Sequence, residues 1–107
     1  MATKKTIISL VKHFITDVEQ TGVKLNGALL FGSWAKDTAN KDSDIDVALI
    51  SDSFINFEPI DIKLFMQAKI KNESTNIQVQ TFSTKYFKKG DPFVDEIKNT
   101  GISLIKK

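Results

Sequence analysis

The sequence contains no cysteine, which excludes disulfide bridges, thiol nucleophiles and zinc–thiolate sites and makes a cytoplasmic location the expectation. It has a single histidine, His13, inside a helical pattern where a surface or boundary position accounts for it. Histidine-based acid–base chemistry is therefore not expected. No apolar run is long enough to span a membrane. The start, Met1-Ala2-Thr3-Lys4-Lys5, leads into an amphipathic pattern rather than the apolar core of a signal peptide. Charge of one sign is also scarce: 15 Lys and Arg against 13 Asp and Glu leave +2, too little to argue for a nucleic-acid partner. What remains is 107 residues, 41% apolar and 26% charged, an ordinary globular composition with enough chain for one modest core. Residues 1–107 are read as a single domain.

The chain alternates short elements without internal repeats. Ile7, Ile8, Val11, Phe14, Ile15 and Val18 recur at helical spacing and predict an amphipathic helix over Lys4–Gln20, ended by Thr21-Gly22. Gly27 to Phe31 reads as a strand. Pro59 to about Lys71 predicts a helix with Ile62, Phe65, Met66 and Ile70 facing inward. Ile77 to Phe82 predicts a strand. Asp91-Pro92 opens a last helix as cap and first residue, Gly101 ends it, and Ile102–Ile105 is a short terminal strand. The fold class is α/β (α+β): a small mixed β-sheet with flanking helices.

The most informative stretch runs from Phe31 to Ile50. Gly32 follows an apolar strand and allows close backbone approach or a positive φ. Ser33 is a good N-cap for a helix of one or two turns over Trp34–Ala39, and a helix start offers free N–H groups to a phosphate. Lys36 adds a point charge near that start. Asp44 and Asp46 then alternate with Ile45 and Val47, so both carboxylates project from one face of a strand. Two such acids repel unless a cation sits between them, and oxygen ligands at that spacing suit Mg²⁺. Each part alone has an ordinary explanation, a capped helix or a solvated strand start.

Together, Gly32-Ser33, ten residues, then Asp44-x-Asp46 resembles the signature of the nucleotidyltransferase superfamily that includes DNA polymerase β. Ala35-Lys36 and Ser43 fit the same surroundings. The resemblance is closest to the minimal nucleotidyltransferases, small prokaryotic domains often encoded beside a HEPN-type toxin. It implies the nucleotidyltransferase fold, Gly32 and Ser33 as triphosphate contacts, and Asp44 and Asp46 as Mg²⁺ ligands. It further implies ATP as nucleotide donor, a HEPN-type toxin as partner, and transfer of AMP to that protein as the reaction. Little chain is left over to hold a second substrate, so the acceptor is expected on another protein.

Two departures stand out. The family commonly has Gly where this chain has Asp37, which brings a negative charge near the phosphate turn. The family's third carboxylate, a general base, belongs on the strand Asn76–Phe82, which here contains no acid. Gln78 is the best match, with Gln80 on the same face as the alternative. A glutamine accepts hydrogen bonds but cannot act as a general base near neutral pH. The competing reading is therefore a catalytically weakened or inactive relative that neutralises a toxin by occlusion. Trp34 reads as either a base-stacking residue or packing under the turn. Tyr86-Phe87-Lys88-Lys89 reads as a partly solvated loop with buried aromatics rather than a nucleic-acid patch. Phe54, Phe57, Phe65, Phe82 and Phe93 read as core or interface.

Overall fold

Helix α1 spans Lys4–Gln20, the range its apolar spacing predicts. Ile7, Val11, Phe14, Ile15 and Val18 are buried, with Phe14, Val11 and Val18 fully enclosed. Thr3 caps it by accepting from the Thr6 N–H at 3.2 Å, and Gly22 leaves it at φ +101°. The computed structural model describes residues 3–55, 58–72 and 76–105. His13 lies on the exposed side of α1, its Nε2 3.5 Å from Asp17 Oδ2. Phe57 lies outside the described residues.

Strands β1 (Gly27–Phe31), β2 (Ile45–Ile50), β3 (Ile77–Phe82) and β4 (Ile102–Ser103) form one sheet in the order β3-β2-β1-β4. β1 pairs antiparallel with β2 and β4, and β2 runs parallel to β3 through the crossover helix α2, Glu58–Lys71. Ala28, Leu30, Ile45, Val47, Leu49 and Ile77 meet α1 and α2 on one face. On the other face Ala48, Ile50 and Phe82 meet Val94 and Ile97 of helix α4, Pro92–Thr100. Covered on both faces, β2 reads as an unbroken apolar run from Val47 to Ile50, with its two acids left at its mouth. Among the described residues no helix is long and apolar enough to cross a membrane.

Three local expectations are corrected. Helix α2 forms as predicted, but Met66 and Ile70 are exposed, at 39% and 58%, and the buried side is Asp61, Phe65, Ala68 and Asn72. Its apolar residues lie all round the helix, so spacing cannot choose a face, and polar anchors choose it instead. Asp61 accepts from the Ile55 N–H and the Thr81 hydroxyl, each at 3.0 Å, and Asn72 donates to Asp17 at 3.0 Å. Residues Tyr86–Lys89 are not a loop: they belong to helix α3, Thr84–Lys89, capped by the Ser83 side chain on the Tyr86 N–H at 3.1 Å. A one-turn helix has too few residues to display a period. The terminal strand is shorter than predicted, with Ile102–Ser103 alone on the ladder and Leu104 N–H bonded to Ala28 C=O at 2.8 Å.

Aromatic residues join α3 and α4 to the sheet. Phe82 packs on Tyr86, Phe87 and Phe93 at ring separations of 6.2, 5.5 and 6.2 Å. Phe54, Phe65 and Phe82 are buried, whereas Phe93 is 43% exposed and stands edge-on to Phe31 at 5.8 Å. Asp91 caps α4 on the Val94 N–H at 2.7 Å, ahead of Pro92, as its sequence predicts. The Tyr86 hydroxyl also donates to Asp91. That bond, joined by the Val94 N–H, holds the Asp91 carboxyl below its usual range and pushes the Tyr86 phenol up.

Candidate functional site

The chain leaves β1 through Gly32 at φ +75°. A Cβ built on Gly32 would overlap the Oδ2 of Asp46, so glycine is needed here both for the backbone angle and for the close approach of the carboxylate. The turn that follows is a 3₁₀ helix over Gly32–Trp34, not the α-helix predicted for Trp34–Ala39. Ser33 lies inside this turn rather than capping it. The reason is at both ends. Gly32 bends the chain sharply enough for the Ala35 and Lys36 N–H groups both to reach its carbonyl at 3.1 Å, and Asp37 stops it at φ +62°. The N–H groups of Ser33 and Trp34 lie ahead of the first helical bond, the position from which a turn offers donors to an anion. Trp34 is buried at 8% exposure, which settles it as packing rather than a base platform; its indole Nε1 has no partner among the described residues.

Asp37 occupies the left-handed region, where Gly is easiest and Asp is among the few tolerated side chains. Its charge is met by Lys4, whose Nζ lies 3.1 Å from Asp37 Oδ1 and 3.4 Å from the Ala35 carbonyl oxygen. The departure from Gly thus keeps the backbone angle and directs the new charge to α1. Asp37→Val should cost about 1–2 kcal/mol, the penalty of a left-handed angle for a β-branched residue, while Asp37→Gly stays near wild type. Thermal unfolding of the two variants checks this; equal midpoints would remove the backbone explanation.

Asp44 immediately precedes β2 and is exposed; Asn76 Nδ2 donates to its Oδ1. Asp46 is half-buried and stands in register with Phe31 of β1 and Gln78 of β3. Burial first, and the Asp44 charge second, push the Asp46 carboxyl above its usual range. A divalent cation beside the two acids would offset both effects. The oxygen donors and the cradle that Gly32 leaves around Asp46 fit such an ion, with Asp44 and Asp46 as its protein ligands. No further acid joins them: among the described residues no group of three or more His, Cys, Asp or Glu side chains gathers.

The register also sets the two glutamines at different depths. Gln78 is level with Asp46, whereas Gln80 is level with Ala48, deeper along the strand. Lys36 is held toward α4, its Nζ 3.1 Å from Glu96 Oε1. Asn76 and Glu96 are the site neighbours that the sequence does not reveal. Asn76 lies two residues from Gln78 on the same strand face, but only the parallel register sets it against Asp44.

The family described as Polymerase beta, Nucleotidyltransferase matches residues 13–107. Among solved structures, the chain is similar to a candidate nucleotidyltransferase from Sulfolobus solfataricus, with a TM-score of 0.71 and 14% identity over 97% of this chain and 84% of that one. It is also similar to a chain of a toxin–antitoxin structure with AMP-PNP, with a TM-score of 0.63 and 15% identity over 90% of this chain and 73% of the other. At these identities the likeness is one of fold. No curated protein sequence matches the chain.

Proposed function

The chain belongs to the polymerase β nucleotidyltransferase family, and on that premise we propose that it binds ATP with Mg²⁺ and transfers AMP to a partner protein. The observation that carries this reading is the approach of Asp46 to Gly32: it sets one carboxylate of the Asp44/Asp46 pair against the first residue of the turn. Asp44 and Asp46 hold the cation. Gly32, Ser33 and the turn's N–H groups receive the phosphates. Lys36 leaves Glu96 to join them, an inexpensive exchange because exposed ion pairs contribute at most about 1 kcal/mol. When bound, Mg²⁺ supplies charge neutralisation at the transferred phosphoryl group. The acceptor hydroxyl oxygen forms a bond to the α-phosphorus, the bond from that phosphorus to the departing pyrophosphate breaks, and the hydroxyl proton passes to water. Gln78 positions by hydrogen bonding and takes no proton.

The partner in this reading is a toxin, of the HEPN type that the sequence resemblance implies, in the cytoplasm. Similarity of fold to a chain of a toxin–antitoxin structure supports a protein partner. A second reading is favoured by Gln78 itself. General-base assistance is worth about 10²–10⁴ in rate, so with an amide at that position the domain could bind nucleotide, transfer slowly or not at all, and neutralise its partner by occlusion.

Calorimetric titration of ATP into the wild-type protein and Asp44→Asn, with and without Mg²⁺, tests the first step. The expected result is binding that needs Mg²⁺ and weakens about tenfold in the variant, the loss of one screened charge contact near the surface. No binding by folded wild-type protein would overturn the transferase reading and favour occlusion. Transfer of label from α-phosphate-labelled ATP to the partner then separates the two.

A further inference from the structure

Asn76 has no role in the reading above, yet it is the side chain that touches Asp44. The backbone places it there: the Ile45 N–H bonds the Asn76 carbonyl at 2.8 Å, and the next step of the ladder pairs Ile45 with Ile77. Its amide then sits between two neighbours. Gln78 Nε2 donates to Asn76 Oδ1 at 3.3 Å, and Asn76 Nδ2 donates to Asp44 Oδ1. A carboxamide has one acceptor end and one donor end. With its oxygen engaged by Gln78, its N–H₂ group is committed to Asp44. A carboxylate at position 78 would be acceptor-only and could not set the amide this way.

We propose that Asn76, oriented by Gln78, is a positioning residue that fixes the Asp44 carboxylate for the cation, so that Gln78 is one end of a donor relay and not simply a lost acid. This rests on Asp44 and Asp46 being the cation ligands. Asp44 is exposed and precedes its strand, so nothing else among the described residues restrains its carboxylate. The relay holds Oδ1 and leaves Oδ2 without a side-chain donor among those residues.

The test is uptake of Mn²⁺ by the full chain, followed by electron paramagnetic resonance in the presence of a non-hydrolysable ATP analogue. Removing an outer partner of a metal ligand typically weakens metal binding 10–100-fold, and this pair is exposed, so Asn76→Ala should weaken Mn²⁺ binding by about tenfold. Its thermal midpoint should stay near wild type. Asn76→Gln, which keeps the donor on a longer arm, should recover part of the loss. In the Asp44→Asn background, Asn76→Ala should change nothing further, because the relay acts only through Asp44. Equal Mn²⁺ affinity in wild type and Asn76→Ala, or the same drop in the Asp44→Asn background, would overturn the positioning role while leaving the cation site standing. Absence of Mn²⁺ uptake by the wild type would instead overturn the cation site, and this inference with it.

Discussion

Gly32→Ala should weaken Mg²⁺-dependent nucleotide binding by about a hundredfold and also lower the thermal midpoint. Two separate costs meet at this residue. At φ +75° any side chain is strained, by about 1–2 kcal/mol. The new Cβ would also occupy the space of the Asp46 carboxylate, which hangs from the central strand β2 and cannot retreat with it. The carboxylate must rotate away from the turn, separating metal ligand from phosphate donors. Drawing the Asp46 charge away from the turn removes a half-buried charge contact of about 2–3 kcal/mol, so binding should weaken by about a hundredfold. Gly22→Ala is the control. It has a similar angle, φ +101°, but nothing within 4 Å of the added Cβ. It should lose comparable stability and bind nucleotide normally. Calorimetry and thermal unfolding of both variants check this, and wild-type nucleotide affinity in Gly32→Ala would sink the account of the turn.

Asp61→Ala should give a large stability loss without touching the site. Asp61 is fully buried and lies in the first turn of α2, where the helix dipole favours a carboxylate. Its two oxygens receive the Ile55 N–H and the Thr81 hydroxyl, tying the loop after β2 to α2 and to the end of β3. Alanine would strand both donors in part-buried surroundings, at about 1–3 kcal/mol each, so about 2–6 kcal/mol in all. That is a sizeable share of the about 5–15 kcal/mol typical of a domain. Asp61→Asn, which keeps one good acceptor, should lose roughly half as much. Denaturant unfolding measures both, and a change below about 0.5 kcal/mol in Asp61→Ala would reject the anchor. Nucleotide affinity should be unchanged, because Thr81 faces α2 while Asp46 faces the α4 side of the sheet.

These two residues mark where sequence reading succeeds and where it stops. Gly32 was legible because its meaning is local: an apolar strand ending in Gly-Ser, with Asp44 and Asp46 at a fixed distance along the chain. The α1 stripe and the Asp91-Pro92 cap were legible for the same reason. Asp61 was not, because a buried carboxylate in a helix is explained only by partners six and twenty residues away. The face of α2 was misread because Met66 and Ile70 satisfy the helical period equally well. The form of the motif turn was misread because Ser33 has the chemistry of a cap, while the angles at Gly32 and Asp37 leave room for only a 3₁₀ turn.

By itself the sequence determined the order of the four strands and of helices α1, α2 and α4, the family signature, the two aspartates at the mouth of a buried strand, and the lack of an acid on β3. All of these follow from periodicity and spacing, which survive in one dimension. Only the tertiary structure decided that Gln78 rather than Gln80 stands beside Asp46, that Asn76 holds Asp44, and that Glu96 holds Lys36. Those relations depend on strand register and on helix placement across the sheet, and a one-residue change of register would turn every side chain of β3 to the opposite face.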